Sequence, residues 1–104
     1  MSDRELLELA AKAAGIELVW HGDADPWCFA ETVAGIKWNP LTDDGDALRL
    51  AVKLRLSVEQ WKTNEAVCYN KSGDGAYEDY GKDALAATRR AIVRAAAEIG
   101  RDMK

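Results

Sequence analysis

The chain has 104 residues, a formal net charge of −4, 48% apolar and 31% charged side chains. That length fits one domain, residues 1–104, which buries roughly two thirds of its unfolded surface and needs no metal or disulfide staple. The acidic balance disfavours direct nucleic-acid binding, which calls for a basic footprint. No apolar run approaches the ~20 residues of a membrane span, and the charged amphipathic start does not read as a signal peptide, so a cytoplasmic protein is expected. Cys28 and Cys68 have neither CxxC spacing nor a ligand cluster beside them and read as reduced thiols.

Charge is unevenly spread along the sequence. Residues 1–46 carry three basic and ten acidic side chains, a balance of −7, whereas residues 47–104 carry eleven and eight, a balance of +3. Such a split either makes a two-poled surface suited to charge-steered contacts or is intermixed by folding, the commoner result.

In chain order, Ser2 or Asp3 caps a first helix, with Glu5 placed as the capping-box partner of Ser2. Leu6, Leu7, Leu9, Ala10, Ala13 and Ala14 form its apolar face, opposite Arg4, Glu8 and Lys12, and Gly15 ends it. Ile16 to Trp20 is β-rich, the run 21–26 is turn-forming, and extended pieces are predicted over Trp27 to Thr32 and Ile36 to Trp38. Asn39-Pro40 stops the chain from continuing as helix or ladder. Thr42 and Asp43 are then N-cap candidates for a second helix whose apolar run Ala47, Leu48, Leu50, Ala51, Val52, Leu54, Leu56 places it at the centre of the domain. Val58 to Trp61 and Ala66 to Asn70 read as strands around the bend 62–64. The turn Lys71-Ser72-Gly73-Asp74-Gly75 leads to a further short strand over Ala76 to Tyr80. A last, alanine-rich helix follows Gly81, with Leu85, Ile92, Ala96 and Ile99 on one stripe and Gly100 at its end. The order α-β-β-α-β-β-α describes an α+β fold, an antiparallel sheet packed against helices.

Three blocks, DRELLELAAKAAGIEL, WNPLTDDGDALRLAVKL and ATRRAIVRAAAEIG, cover about half of the chain. They resemble a family of small proteins encoded by tailed phages and prophages, and more weakly the NinX type of phage accessory protein. The resemblance implies an accessory phage gene expressed in the bacterial cytoplasm, a setting in which host defences are blocked or host enzymes redirected. It carries over no catalytic residue.

For chemistry, His21 with Asp23 and Asp25 could form a cation or acid–base cluster, but one histidine with no second histidine or cysteine nearby reads more simply as a solvated turn. The run Asp43-Asp44-Gly45-Asp46 lacks the spacing of a calcium loop and is explained by helix capping. No phosphate loop, paired cysteines or hydrolase elbow occurs, so neither a catalytic set nor a metal or cofactor is assigned. Binding is the better-supported chemistry. Trp20, Trp27, Trp38, Trp61, Tyr69, Tyr77 and Tyr80 supply rings, and arginines could charge-pair an anion stacked on them. The candidate site is Trp38, Asn39, Arg49, Lys53, Trp61, Tyr69, Arg89 and Arg90. The competing reading is that most tryptophans fill the core and the arginines form a solvated face.

Three functions are open at this point. The first is a non-enzymatic accessory protein that sequesters a small anionic, nucleotide-like ligand used in host antiviral defence. The second is an acidic interaction protein that inhibits a host protein through its N-terminal half, as a nucleic-acid mimic would. The third is a small hydrolase built on His21. The alanines of the last helix also make a homodimer or higher homo-oligomer an expectation.

Overall fold

The computed structural model describes residues 2–22 and 29–103. Trp27, Cys28 and the acidic partners considered for His21 lie outside the described residues. The elements are α1 (Asp3–Ala14), β1 (Leu18–His21), β2 (Phe29–Thr32), α2 (Asp44–Leu54), β3 (Ser57–Trp61), β4 (Glu65–Tyr69), β5 (Gly75–Asp79) and α3 (Ala84–Asp102). This is the expected α+β order, with the further strand formed after the 71–75 turn. The strands divide into two antiparallel sheets, a β1-β2 pair and a β3-β4-β5 meander. The piece 36–38 is no strand; Lys37 makes a single bridge to Glu31.

Local signals fix most boundaries. Ser2 caps α1, its side chain accepting from the Glu5 N–H while its hydroxyl donates to the Glu5 carboxylate. Gly15, at φ 71°, closes that helix in the left-handed region that glycine enters without a Cβ penalty. Asp43, not Thr42, caps α2. At the tip of the β4–β5 turn, Asn70 Oδ1 accepts the backbone N–H groups of Ser72 and Asp74, so this side chain replaces ladder bonds the turn cannot make.

The centre of the domain is α3, which corrects the expectation for α2. Leu48 and Val52 of α2 are 64% and 68% exposed, and only Asp46, Ala47, Leu50 and Ala51 of that helix are buried. Arg49, Lys53 and the two exposed apolar residues therefore share its solvent side. Helix α3 instead packs against α1, α2, β4 and β5, and it buries Ala91, Ile92, Val93, Ala95, Ala96 and Ala97, which covers nearly its whole circumference. Small side chains make that possible. Ala10, Ala11 and Ala14 of α1 join those of α3 in one buried cluster with Leu6, Leu7, Leu50, Trp38 and Cys68. Of the alanines that raised the prospect of a symmetric dimer, Ala87, Ala91 and Ala95 to Ala97 are buried within the chain.

Gly100 does not end α3, which continues to Asp102. Its role is proximity: a Cβ at this position would stand 1.9 Å from the carbonyl oxygen of Leu9 in α1. Replacing Gly100 by Ala is expected to force α1 and α3 apart and to cost about 1–3 kcal/mol of stability, as overpacking of a filled core does. Denaturant unfolding of G100A beside the parent checks this. An unchanged midpoint would show that the two helices are not seated on each other there.

Candidate functional site

The approach to α2 is a hydrogen-bonded knot built from Asn39 to Asp46. The pre-proline Asn39 turns the chain by accepting from the Leu41 N–H at 3.0 Å on its side chain and from Asp43 N–H at 2.9 Å on its carbonyl. Asp43 then accepts the Asp46 N–H at 2.8 Å. Asp46 is the one buried charged residue among those described, 8% exposed. Burying a carboxylate is costly unless it is satisfied. Asp46 accepts the Asn39 N–H at 2.9 Å and Arg49 at 2.7 Å, and it sits in the first turn of α2, where the helix dipole favours an anion.

Beside this knot are two adjoining hollows of about 470 and 430 Å³, which share Ile36, Lys37, Trp38, Asp46 and Arg49. The first adds Phe29, Asn39 and Asp43 to its lining, and the second adds Ala14, Ile16, Leu50 and Lys53. Four of the eight candidate residues therefore come together: Trp38, Asn39, Arg49 and Lys53. Trp38, 7% exposed, is mainly core and offers the cleft an edge. The accessible ring is Phe29, 39% exposed, with the Lys37 ammonium 5.1 Å from its centroid. His21 stacks on the same ring at 5.0 Å and stands 3.5 Å from Glu31. Among the described residues no group of three or more His, Cys, Asp or Glu side chains is placed to hold a metal ion.

The other four candidates lie elsewhere. Arg89, its side chain 16% exposed, donates to the Leu41 carbonyl at 2.8 Å and to Asp44 at 2.6 Å. It braces α3 against the start of α2 and does not line the cleft. Arg90 pairs with Asp3 at 3.1 Å and Glu78 at 3.6 Å, tying α3 to α1 and β5. Trp61 and Tyr69 stand on the meander, where both donate to Glu59. Those bonds, the one from Tyr69 first, hold the Glu59 carboxyl below its usual range, and the same Glu59 bond pushes the Tyr69 phenol up.

Folding also mixes the charge halves of the sequence. Asp3, Asp44 and the Asp43/Asp46 pair engage Arg90, Arg89 and Arg49 respectively, so acids of the first 46 residues are matched by bases of the remainder. The cleft residues that periodicity did not pick out are Phe29, Ile36, Lys37 and Asp46. Lys37 and Ile36 follow Gly35 in an irregular segment with no period to read, and Asp46 was visible only as a helix-start acid.

No family model, no curated protein and no solved structure matches the chain, so its function is argued from the geometry of its own sites.

Two outcomes test this geometry. Asp46→Ala strands the Asn39 N–H and leaves Arg49 only its longer contact with Asp43, and should lower stability by about 1–3 kcal/mol in urea unfolding. Burial pushes the Cys68 thiol up to about 12 from 9.0. Since the raised value belongs to the folded state, its contribution is intact below pH 9.0 and is lost as pH climbs toward 12, because unfolding then releases the proton. Native Cys68 should accordingly resist iodoacetamide at pH 8 and react once denaturant is added, as peptide mass spectrometry would show; rapid native labelling would contradict the burial.

Proposed function

We propose that this protein is a non-enzymatic binding protein that captures a small anionic, nucleotide-like ligand in the cleft between α2 and the 36–38 segment. In the phage setting implied by the sequence resemblance, capture withholds that ligand from a host antiviral response. The observation that carries the reading is the convergence of Lys37, Arg49 and Lys53 on one hollow of about 430 Å³. Its size lies within the range of small-molecule sites. Neither Lys37 nor Lys53 has a carboxylate partner among the described residues. Arg49, with a side chain 72% exposed, is held in place by Asp46 while still facing solvent, and its planar fork suits a phosphate. Ile36 and Phe29 supply apolar surface for a base or sugar.

Recognition, not proton transfer, is the chemistry this lining favours. Asp46 is committed to the Asn39 N–H and Arg49, and Asp43 to the cap of α2. The ligand's negative charge would meet three cations against two engaged carboxylates, leaving a local excess of positive charge.

Calorimetric titration with nucleoside monophosphates, cyclic dinucleotides and nucleoside triphosphates tests the reading. At least one should bind with micromolar affinity, stabilise the fold by about 2.7 kcal/mol at a hundredfold excess over Kd, and weaken with added salt. Lys53→Ala and Lys37→Ala, both at exposed positions, should each reduce affinity about fivefold or more. No heat with any member of the panel, or affinities indifferent to both substitutions, would overturn it.

A further inference from the structure

One face of the β3-β4-β5 meander packs on the helices. Strand register places Val58, Cys68 and Ala76 in one row of that face and Gln60, Ala66 and Glu78 in the next. Ala66 and Cys68 are fully buried in the common core, and Glu78 receives Arg90 and Arg94 from α3. Side chains alternate across a strand, so the same registers place the remaining residues on the opposite face. They form three rows: Ser57-Tyr69-Gly75, Glu59-Val67-Tyr77 and Trp61-Glu65-Asp79. Helix α3 packs on β4 and β5 from the core side; on the outer rows Val67 is buried at 9% exposed, while Trp61 is 48% and Tyr77 66% exposed.

The composition of those rows is one-sided. They contain three carboxylates, three aromatic rings and no basic residue; Lys62 and Lys71 are in the turns that flank them. Glu59 is fixed at mid-strand, its carboxylate accepting from the Trp61 indole N–H at 3.0 Å and from the Tyr69 hydroxyl. These bonds, the one from Tyr69 first, favour the ionised form of Glu59 and hold two rings beside the charge. A carboxylate flanked by aromatic rings complements a guanidinium or ammonium group, through ion pairing and cation–π attraction together. Nucleic acid would meet three like charges here. A symmetric contact with a second copy through this face would set its carboxylates against their own equivalents.

We propose that the outer face of the meander, centred on Glu59 between Trp61 and Tyr69, is the docking surface for an extended arginine- or lysine-bearing segment of a partner protein. Alternate side chains of an extended segment are about 7 Å apart, as are successive rows along these strands. A basic residue at every second position therefore meets Glu59 in one row and Glu65 or Asp79 in the next. The surface is separate from the Trp38 cleft, and it stands or falls independently of the ligand proposed there.

The test is fluorescence anisotropy of a labelled peptide alternating arginine and serine, titrated with the full chain. Binding is expected to weaken with salt and to be absent for the matching glutamate–serine peptide. Glu59→Gln and Trp61→Ala should each reduce affinity about fivefold or more, while Glu8→Gln, which removes the same charge from exposed α1, should leave it unchanged. Tyr77→Ala, at a position 66% exposed, provides a second ring deletion if Trp61→Ala fails to fold. Absence of arginine-peptide binding, an equal loss from Glu8→Gln, or full affinity in folded Glu59→Gln and Tyr77→Ala would overturn the proposal. So would a dimer, seen by sedimentation, that Trp61→Glu dissolves, because the face would then belong to a second copy.

Discussion

The close approach of α1 and α3 is the constraint on which the remaining structure depends. Leu9 presents a backbone carbonyl where any side chain at Gly100 would stand, and alanines line both helices along the buried cluster. Dispersion and burial are gained from backbone surfaces brought near each other, not from large interdigitating side chains. With α3 enclosed in this way, the meander has a surface to lie on, and Ala66, Cys68 and Ala76 are buried against it.

Polar staples then set the remaining geometry. Arg89 reaches from α3 to the Leu41 carbonyl and Asp44, and Asp46 gathers the Asn39 N–H and Arg49. The segment from Asn39 into α2 is held at both ends, and the cleft beside Trp38 owes its shape to that restraint. Arg49 has two duties in consequence: it neutralises a buried carboxylate and supplies positive charge to the cleft. Arg90 and Arg94 share Glu78, so these arginines of α3 tie the domain together, while Arg49 and Lys53 of α2 and Lys37 line the hollow beside Trp38. The two surfaces proposed for recognition consequently differ in sign, a cationic concavity near α2 and an acidic, aromatic sheet face on the meander.

Local chemistry was legible wherever it was self-contained. Ser2, Gly15 and Asp43 cap their helices through bonds to residues within four positions, and such bonds are written in the sequence; Asn70, read as the end of a strand, instead holds the turn that follows. Trp38, Asn39, Arg49 and Lys53 share one turn-and-helix unit, so their nearness follows from the chain, but nothing in the sequence separated them from the four candidates that lie elsewhere. The placement of Glu59 with Trp61 was implicit in their two-residue spacing on a strand. Arg89 and Arg90 could not be placed from sequence, because their partners are 45 and 87 residues away. The same distance hid the mixing of acidic and basic halves.

By itself, the sequence determined the α+β succession, the Ser2 and Gly15 ends of α1 and the turn that precedes β5, all of which follow from periodicity and from hydrogen bonds between near neighbours. Tertiary structure alone decided which helix is central. An apolar count favours α2, but Leu48 and Val52 face solvent while the smaller alanines of α3 are enclosed. Burial depends on how closely two backbones can approach, and a single chain of letters does not record that distance.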